Sequence, residues 1–315
     1  MMLISPMALS RHAALRDAGG YADGRSLQLD ALQHSDLPAL QALVTQALAP
    51  AEPPDLASDL YSGPRGAGRQ VVVARSGGQI LGCAAWVTFG IAEDGRLYGS
   101  PVVATDRHTA HALLAYLLDT ASTLGASHLR VSTWAGESAK VAALQAAGFT
   151  QLFEWVNFAR DTGDWVAPDW SDTGLHRLDL AQADWAQLTA LHNAAFSGVP
   201  NAPPLDEATV QDDWQSADQQ ASAVLVDGAG HYVAYVLVTE EGDVDGVGVD
   251  ASLRGRGLAR RLYAHAAQAL RARGLHQLTA LVSSANAESM ALHQRLGFHE
   301  STPRGAVYER ATHAA

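Results

Sequence analysis

At 315 residues, with 48% apolar and 17% charged side chains, the chain is long enough for two domains with separate cores and lacks a disordered composition. Its formal net charge of −12 argues against a nucleic-acid partner; it fits first a cytosolic protein kept soluble by its acidity, and more weakly cationic acceptors such as amines. A single cysteine, Cys83, excludes an intramolecular disulfide or a cysteine-based metal site, and no apolar run reaches the roughly 18 to 20 residues of a membrane span.

Residues 1–25 have no basic start, too short a hydrophobic stretch for a secretory signal, and turn dipeptides at Gly19-Gly20 and Asp23-Gly24. They read as a leader or arm of a cytoplasmic protein. A short strand follows at Leu27 to Asp30, then a helix capped by Ser35 and running through Leu37, Leu40, Leu43, Val44 and Leu48. Prolines and glycines between Pro50 and Gly68 indicate a loop with about one helical turn. Val71 to Ala74 and Ile80 to Phe89 form a hairpin around Gly77-Gly78, with Cys83 as a small buried residue.

The chain then repeats itself. Gly148-Phe149 recurs as Gly297-Phe298 and Leu124-Gly125 as Arg273-Gly274, at an offset of about 149 residues; Asp36 and Leu40 recur as Asp184 and Leu188. The expected division is therefore a domain over 26–160, a linker over 161–173 punctuated by Gly163, Pro168 and Gly174, and a second domain over 174–315. Trp165 and Trp170 are read as packing between the domains. The second copy restarts with a strand at Leu175 to Leu180 and a helix at Ala183 to Phe196. After a proline-rich loop come a helix at Asp206 to Trp214 and strands at Ala223 to Val226 and Tyr232 to Thr239.

From Asp243 to Asp250 the alternation of a strand places Val247 and Val249 on one side. Leu258, Leu262, Ala266 and Leu270 then mark one face of a helix ending at Gly274. Between them lies Arg254-Gly255-Arg256-Gly257-Leu258-Ala259. Amides at a helix start lack partners and carry the positive end of the macrodipole, so a glycine turn there is a ready anion site. Arg260 and Arg261 fall in the first turn, where the dipole disfavours a cation unless an anion is bound. A dinucleotide fingerprint fails at Arg260, and a Walker A loop fails because the only lysine, Lys140, lies far away. The bland alternative is an ordinary turn in a chain rich in glycine and arginine.

The segment resembles the acetyl-CoA site of the GNAT superfamily of N-acetyltransferases, whose loop reads Arg/Gln-x-x-Gly-x-Gly/Ala; Arg254, Gly257 and Ala259 fit in order. The likeness continues through Asn286, Leu292, Gly297 and Phe298, with His293 where the family usually has tyrosine. It implies an α+β fold in two tandem GNAT-like domains, each a mixed, mostly antiparallel sheet flanked by helices. In the first copy Asp106 and His108 replace the loop glycines, and Glu137 and Leu144 stand at the places of Asn286 and His293, which implies a degenerate copy.

The resemblance further implies acetyl-CoA as co-substrate and a primary amine of a small molecule or peptide as acceptor. Residues 254–259 would hold the pyrophosphate, the strand edge at Val247 and Val249 the pantetheine, and Asn286 the pantetheine arm or thiol end. Asp243 is the candidate base, ahead of Asp245, Glu240 and Glu241, and His293 the candidate acid, active as an imidazolium. Tyr263 and Tyr308 are read as packing and His265 as solvent-facing. No histidine has metal-ligand spacing. A CoA-binding regulator without turnover is the alternative, and a monomer with pseudo-twofold tandem domains is compatible with the repeat.

Overall fold

The computed structural model describes residues 26–48, 55–199, 202 and 204–312. The leader read at 1–25 lies outside them. In chain order the elements are β1 (Gln28–Ala31), α1 (Leu37–Leu48), α2 (Leu56–Leu60), β2 (Val71–Ser76), β3 (Gln79–Val87), α3 (Phe89–Asp94), β4 (Arg96–Ala104), α4 (Arg107–Thr123), β5 (His128–Thr133), α5 (Ser138–Ala146) and β6 (Thr150–Asp161). Then follow β7 (His176–Arg177), α6 (Trp185–Phe196), α7 (Glu207–Gln215), β8 (Ala223–Val226), β9 (Tyr232–Val238), β10 (Val244–Val249), α8 (Leu258–Ala272), β11 (Gln277–Ser283), α9 (Ala287–Arg295), β12 (His299–Glu300) and β13 (Gly305–Ala311).

The repeat is visible element by element: α4, β5 and α5 recur as α8, β11 and α9. The chain divides into two compact units, 1–154 with 304–315, and 155–303. The first unit orders its sheet β1-β2-β3-β4-β5-β13, antiparallel except for the parallel pair β4–β5. The second has an antiparallel sheet β7-β8-β9-β10, and β11 pairs antiparallel with β6 from Trp155 to Asp161. Both units are mixed α+β with mostly antiparallel strands flanked by helices.

The division differs from a linker at 161–173. Composition marks turns, but pairing between distant strands decides membership: β6 commits to the second unit at Trp155 by its register with β11, and the chain returns to the first unit when β13 pairs with β5. Trp165, 6% exposed, lies in the second unit's core against Tyr263 and Phe298, and Trp170 packs on the same core, where the sequence suggested packing between domains. Locally, Ser35 falls inside a 3-10 turn whose N-cap is Gln33. Phe89 opens α3 instead of ending a strand, and the strand at 175–180 shrinks to β7 with a 3-10 turn at Leu180–Gln182.

One face of α8 buries Leu258, Leu262, Ala266 and Leu270 against the second unit's core. At ~2 kcal/mol per fully buried leucine, this face outweighs the weak intrinsic stability of a helix of its length. A second cluster, with Leu188, Leu191, Trp214 and Tyr235, lies between α6, α7 and β9. Cys83 is fully buried, and burial pushes its thiol up to about 12.

Candidate active site

The second unit is shaped by the parting of two strands. β10 and β11 meet at one parallel bridge, Asp243 to Thr279, and β10 is otherwise the edge of its sheet. Between them opens a cleft of about 1270 Å³, lined entirely by residues of the second unit. Asp243, Val247, Val249, Arg254, Gly255, Gly257, Leu258, Ala259, Asn286 and His293 all line it, while Arg256 does not.

At one end lies the glycine loop. Gly255 and Gly257 both hold φ +78°, and a Cβ on either would meet nothing within 4 Å, so backbone conformation, not crowding, requires glycine there. Gly257 is the N-cap of α8, and no side chain caps that helix. The carboxylate of Asp106 does cap α4 in the first unit, accepting from Thr109 N at 2.8 Å. The corresponding helix start in the first unit is thus closed by its own anion, whereas that of α8 is open. Arg254 holds the loop through Val249 and Ala195 carbonyls at 3.3 and 3.4 Å. Arg261 is tied to Asp172 at 2.8 Å, which relieves its conflict with the helix dipole without a ligand; Arg260 has no such tie among the described residues and lines the cleft.

The strand does not place its acids as plain alternation suggests. A β-bulge between Val244 and Gly246 shifts the register, so Val244 shares the core-facing side with Val247 and Val249. Asp243 and Asp245 are therefore not both on the face of Val247. Asp243 accepts from the Thr279 hydroxyl where the strands part; Asp245 is the bulged residue and is exposed. The Asn286 Oδ1 accepts from Ser289 N at 3.0 Å and so caps α9, leaving its amide NH2 group as the donor it has to offer.

His293 is 2% exposed, stacked on Phe158 at 5.2 Å and edge-on to Phe298. Its Nδ1 lies 2.8 Å from the Ser289 carbonyl, which accepts only, so Nδ1 carries the proton. Nε2, 2.8 Å from the Tyr263 hydroxyl, then accepts from it. Burial holds His293 below the usual histidine range, partly offset by the Ser289 carbonyl, and burial raises Tyr263. The pair is neutral at pH 7. Tyr263, which the sequence marks as packing, is core and also the partner of His293, a pairing across thirty positions that no local spacing announces. His265 is half-buried, not solvent-facing; burial, then Arg177, lowers it to about 4 against opposing contributions from the Gln220 and Ser222 backbone and Asp218.

The acetyltransferase (GNAT) family model matches residues 185–298, which contain the loop, β10, β11 and α9. The L-methionine sulfoximine/L-methionine sulfone acetyltransferase of Pseudomonas aeruginosa is 32% identical over 136 residues, 39% of this chain and 79% of that protein. The chain belongs to the GNAT acetyltransferase family. The [ribosomal protein bS18]-alanine N-acetyltransferase of Salmonella typhimurium is 36% identical over 75 residues, 24% of this chain and 51% of that protein. Among solved structures, a GCN5-related N-acetyltransferase from Sphaerobacter thermophilus matches with TM-score 0.70 at 18% identity, over 91% of this chain and 96% of its own. A tandem GNAT protein from the clavulanic acid biosynthesis pathway matches with TM-score 0.65 at 16% identity, over 92% and 99%. These two likenesses extend the GNAT fold to both halves of the chain. No described helix is long and apolar enough to cross a membrane.

Proposed function

We propose that the second unit binds acetyl-CoA and transfers its acetyl group to a primary amine of a small molecule or peptide. The observation that carries this reading is the uncapped start of α8, on two left-handed glycines, opening into a cleft where β10 has a free edge. The free amides of the first turn fit a pyrophosphate, with Arg254 and Arg260 beside them and Arg256 outside the cleft as a supporting charge. The β10 edge at Val247 and Val249 fits the amides of pantetheine, and the Asn286 amide donates toward the same arm.

Acetyl-CoA supplies an activated acyl group whose acceptor is the amine. The amine nitrogen forms the new bond to the thioester carbon as the C–S bond breaks and its electron pair stays on sulfur. The amine's proton passes to Asp243, at the parting of the strands, directly or through water. Because His293 is neutral with both nitrogens bonded, its part is to hold the Tyr263 hydroxyl, and a thiolate of pKa about 8.5 takes its proton from solvent. That neutrality also favours a second reading, a CoA-binding regulator without turnover. CoA release with a panel of primary amines separates the two: release that depends on the amine supports transfer, and acetyl-CoA binding without release supports regulation.

A further inference from the structure

Opposite the glycine loop, the cleft has a wall of different chemistry. The cations that line the cleft among the described residues are Arg254, Arg260 and Arg295, on the loop, the first turn of α8 and the last turn of α9. The strands β6, β10 and β11 contribute no cation to it; their charged side chains there are Asp243 and Asp245. Val199 and Ala202, which line the cleft beyond α6, carry no charge either. What the wall offers instead is apolar surface. Leu281 is 56% exposed in a strand whose other face is core, its register partner is Asn157, and Trp155, Phe196 and Val199 line the cleft with it.

Asp245 is held in place by more than its strand. It is the extra residue of the bulge, which takes it out of the alternation and aims it independently of its neighbours. Gly246 follows it and Gly248 lies two further on, where the Tyr235 ring is so close that a Cβ on Gly248 would come within 2.4 Å. Tyr235 is in turn fixed by a 2.8 Å hydrogen bond between its hydroxyl and Nδ1 of His192. Asp245 has no hydrogen bond or ion pair among the described residues, and its charge reaches Tyr235, His192 and Asp213.

We infer that the acceptor is a primary amine on an apolar body with no carboxylate beside the amine, and that Asp245 is the specificity-determining residue that receives its ammonium group. This rests on the acetyl-transfer reading and narrows it. An amine arriving as a cation meets Asp245, with Asp243 on the same cleft wall, while Leu281 and Trp155 receive its apolar part. A free α-amino acid brings a carboxylate against two carboxylates, with no cation on the wall to receive it. Like charges about 4 Å apart are worth between about 5-fold in affinity in bulk water and about 1000-fold near a protein surface, and an exposed pair falls between these limits.

The test uses the full chain and three acceptors: 2-phenylethylamine, phenylalanine and phenylalanine amide. The last keeps the added substituent but removes its charge. Acetyl-CoA binding is first measured by calorimetry, then CoA release with each acceptor. The expected result is a kcat/KM for phenylethylamine and for the amide about 10- to 100-fold above that for phenylalanine. Asp245→Asn is expected to raise KM for the amines and bring the three values within a few-fold. Equal or better use of phenylalanine overturns the inference, as does a discrimination that survives Asp245→Asn. Acetyl-CoA binding without turnover of any of the three overturns the inference and leaves the cofactor site standing; no acetyl-CoA binding overturns both.

Discussion

Replacing His293 with phenylalanine tests whether that residue is an acid or a partner. The ring stays aromatic, and its neighbours Phe158 and Phe298 accept a phenyl group, so little packing is lost. The Tyr263 hydroxyl, in a fully buried side chain, loses its 2.8 Å acceptor. An unmade buried hydrogen bond costs about 1–3 kcal/mol. Tyr263→Phe strands Nε2 of His293 by the same logic, whereas the double replacement removes both polar ends. The double mutant is therefore expected to be more stable than the sum of the singles by about 1–2 kcal/mol. Urea unfolding followed by tryptophan fluorescence reads this, since Trp165 stacks on Tyr263 at 6.3 Å. Single effects that add to within ~0.5 kcal/mol would refute the pairing. Turnover supplies a second readout. With His293 held below its usual range, an imidazolium is scarce at neutrality, so His293→Phe is expected to keep the parent's pH profile between about 6.5 and 8. A parent profile that falls from about 6.5 and is flattened by His293→Phe would return His293 to the role of acid.

Three further outcomes follow from burial and pairing. His265 is lowered to about 4, so the unfolded chain takes up its proton first: the stability that neutral His265 contributes is complete above pH ~6.5 and is lost as pH falls toward 4. His265→Gln should flatten acid unfolding over that window by about 2 kcal/mol, with the loss discounted for its partial exposure. In the first unit Lys140 bonds Glu137 at 2.5 Å and the Val102 carbonyl at 2.7 Å. Lys140→Met alone should cost about 3–5 kcal/mol by leaving a buried carboxylate, and Lys140→Met with Glu137→Gln much less, as denaturant titration would show. A fragment of 170–315 lacks Trp155 to Asp161, the whole partner of β11, and is expected to be insoluble; a folded, active fragment would contradict the pairing.

What the sequence made legible was local. The glycine turn, the stripe on α8 and the end of α9 each depend on near neighbours, and each lies where periodicity and capping put it. The partners that define the site were not local. Tyr263 meets His293 only once α8 and α9 pack, Arg261 meets Asp172 across 89 positions, and the bulge at Asp245 depends on β9. The same holds for β6, whose pairing with β11 decides the second unit's first residue more strongly than the prolines and glycines after it. The closed helix start of the first unit was half legible: the loss of glycine could be read, and the capping carboxylate of Asp106 explains what replaced it.

The most direct test of the account is a calorimetric titration of acetyl-CoA into the full chain, Gly257→Val and His108→Ala. Valine at φ +78° carries about 1–2 kcal/mol of strain, so helical content and melting are checked alongside. One site per chain is expected in the parent and in His108→Ala, and none in Gly257→Val with its fold retained. Two sites in the parent, or equal losses from the two replacements, would contradict it.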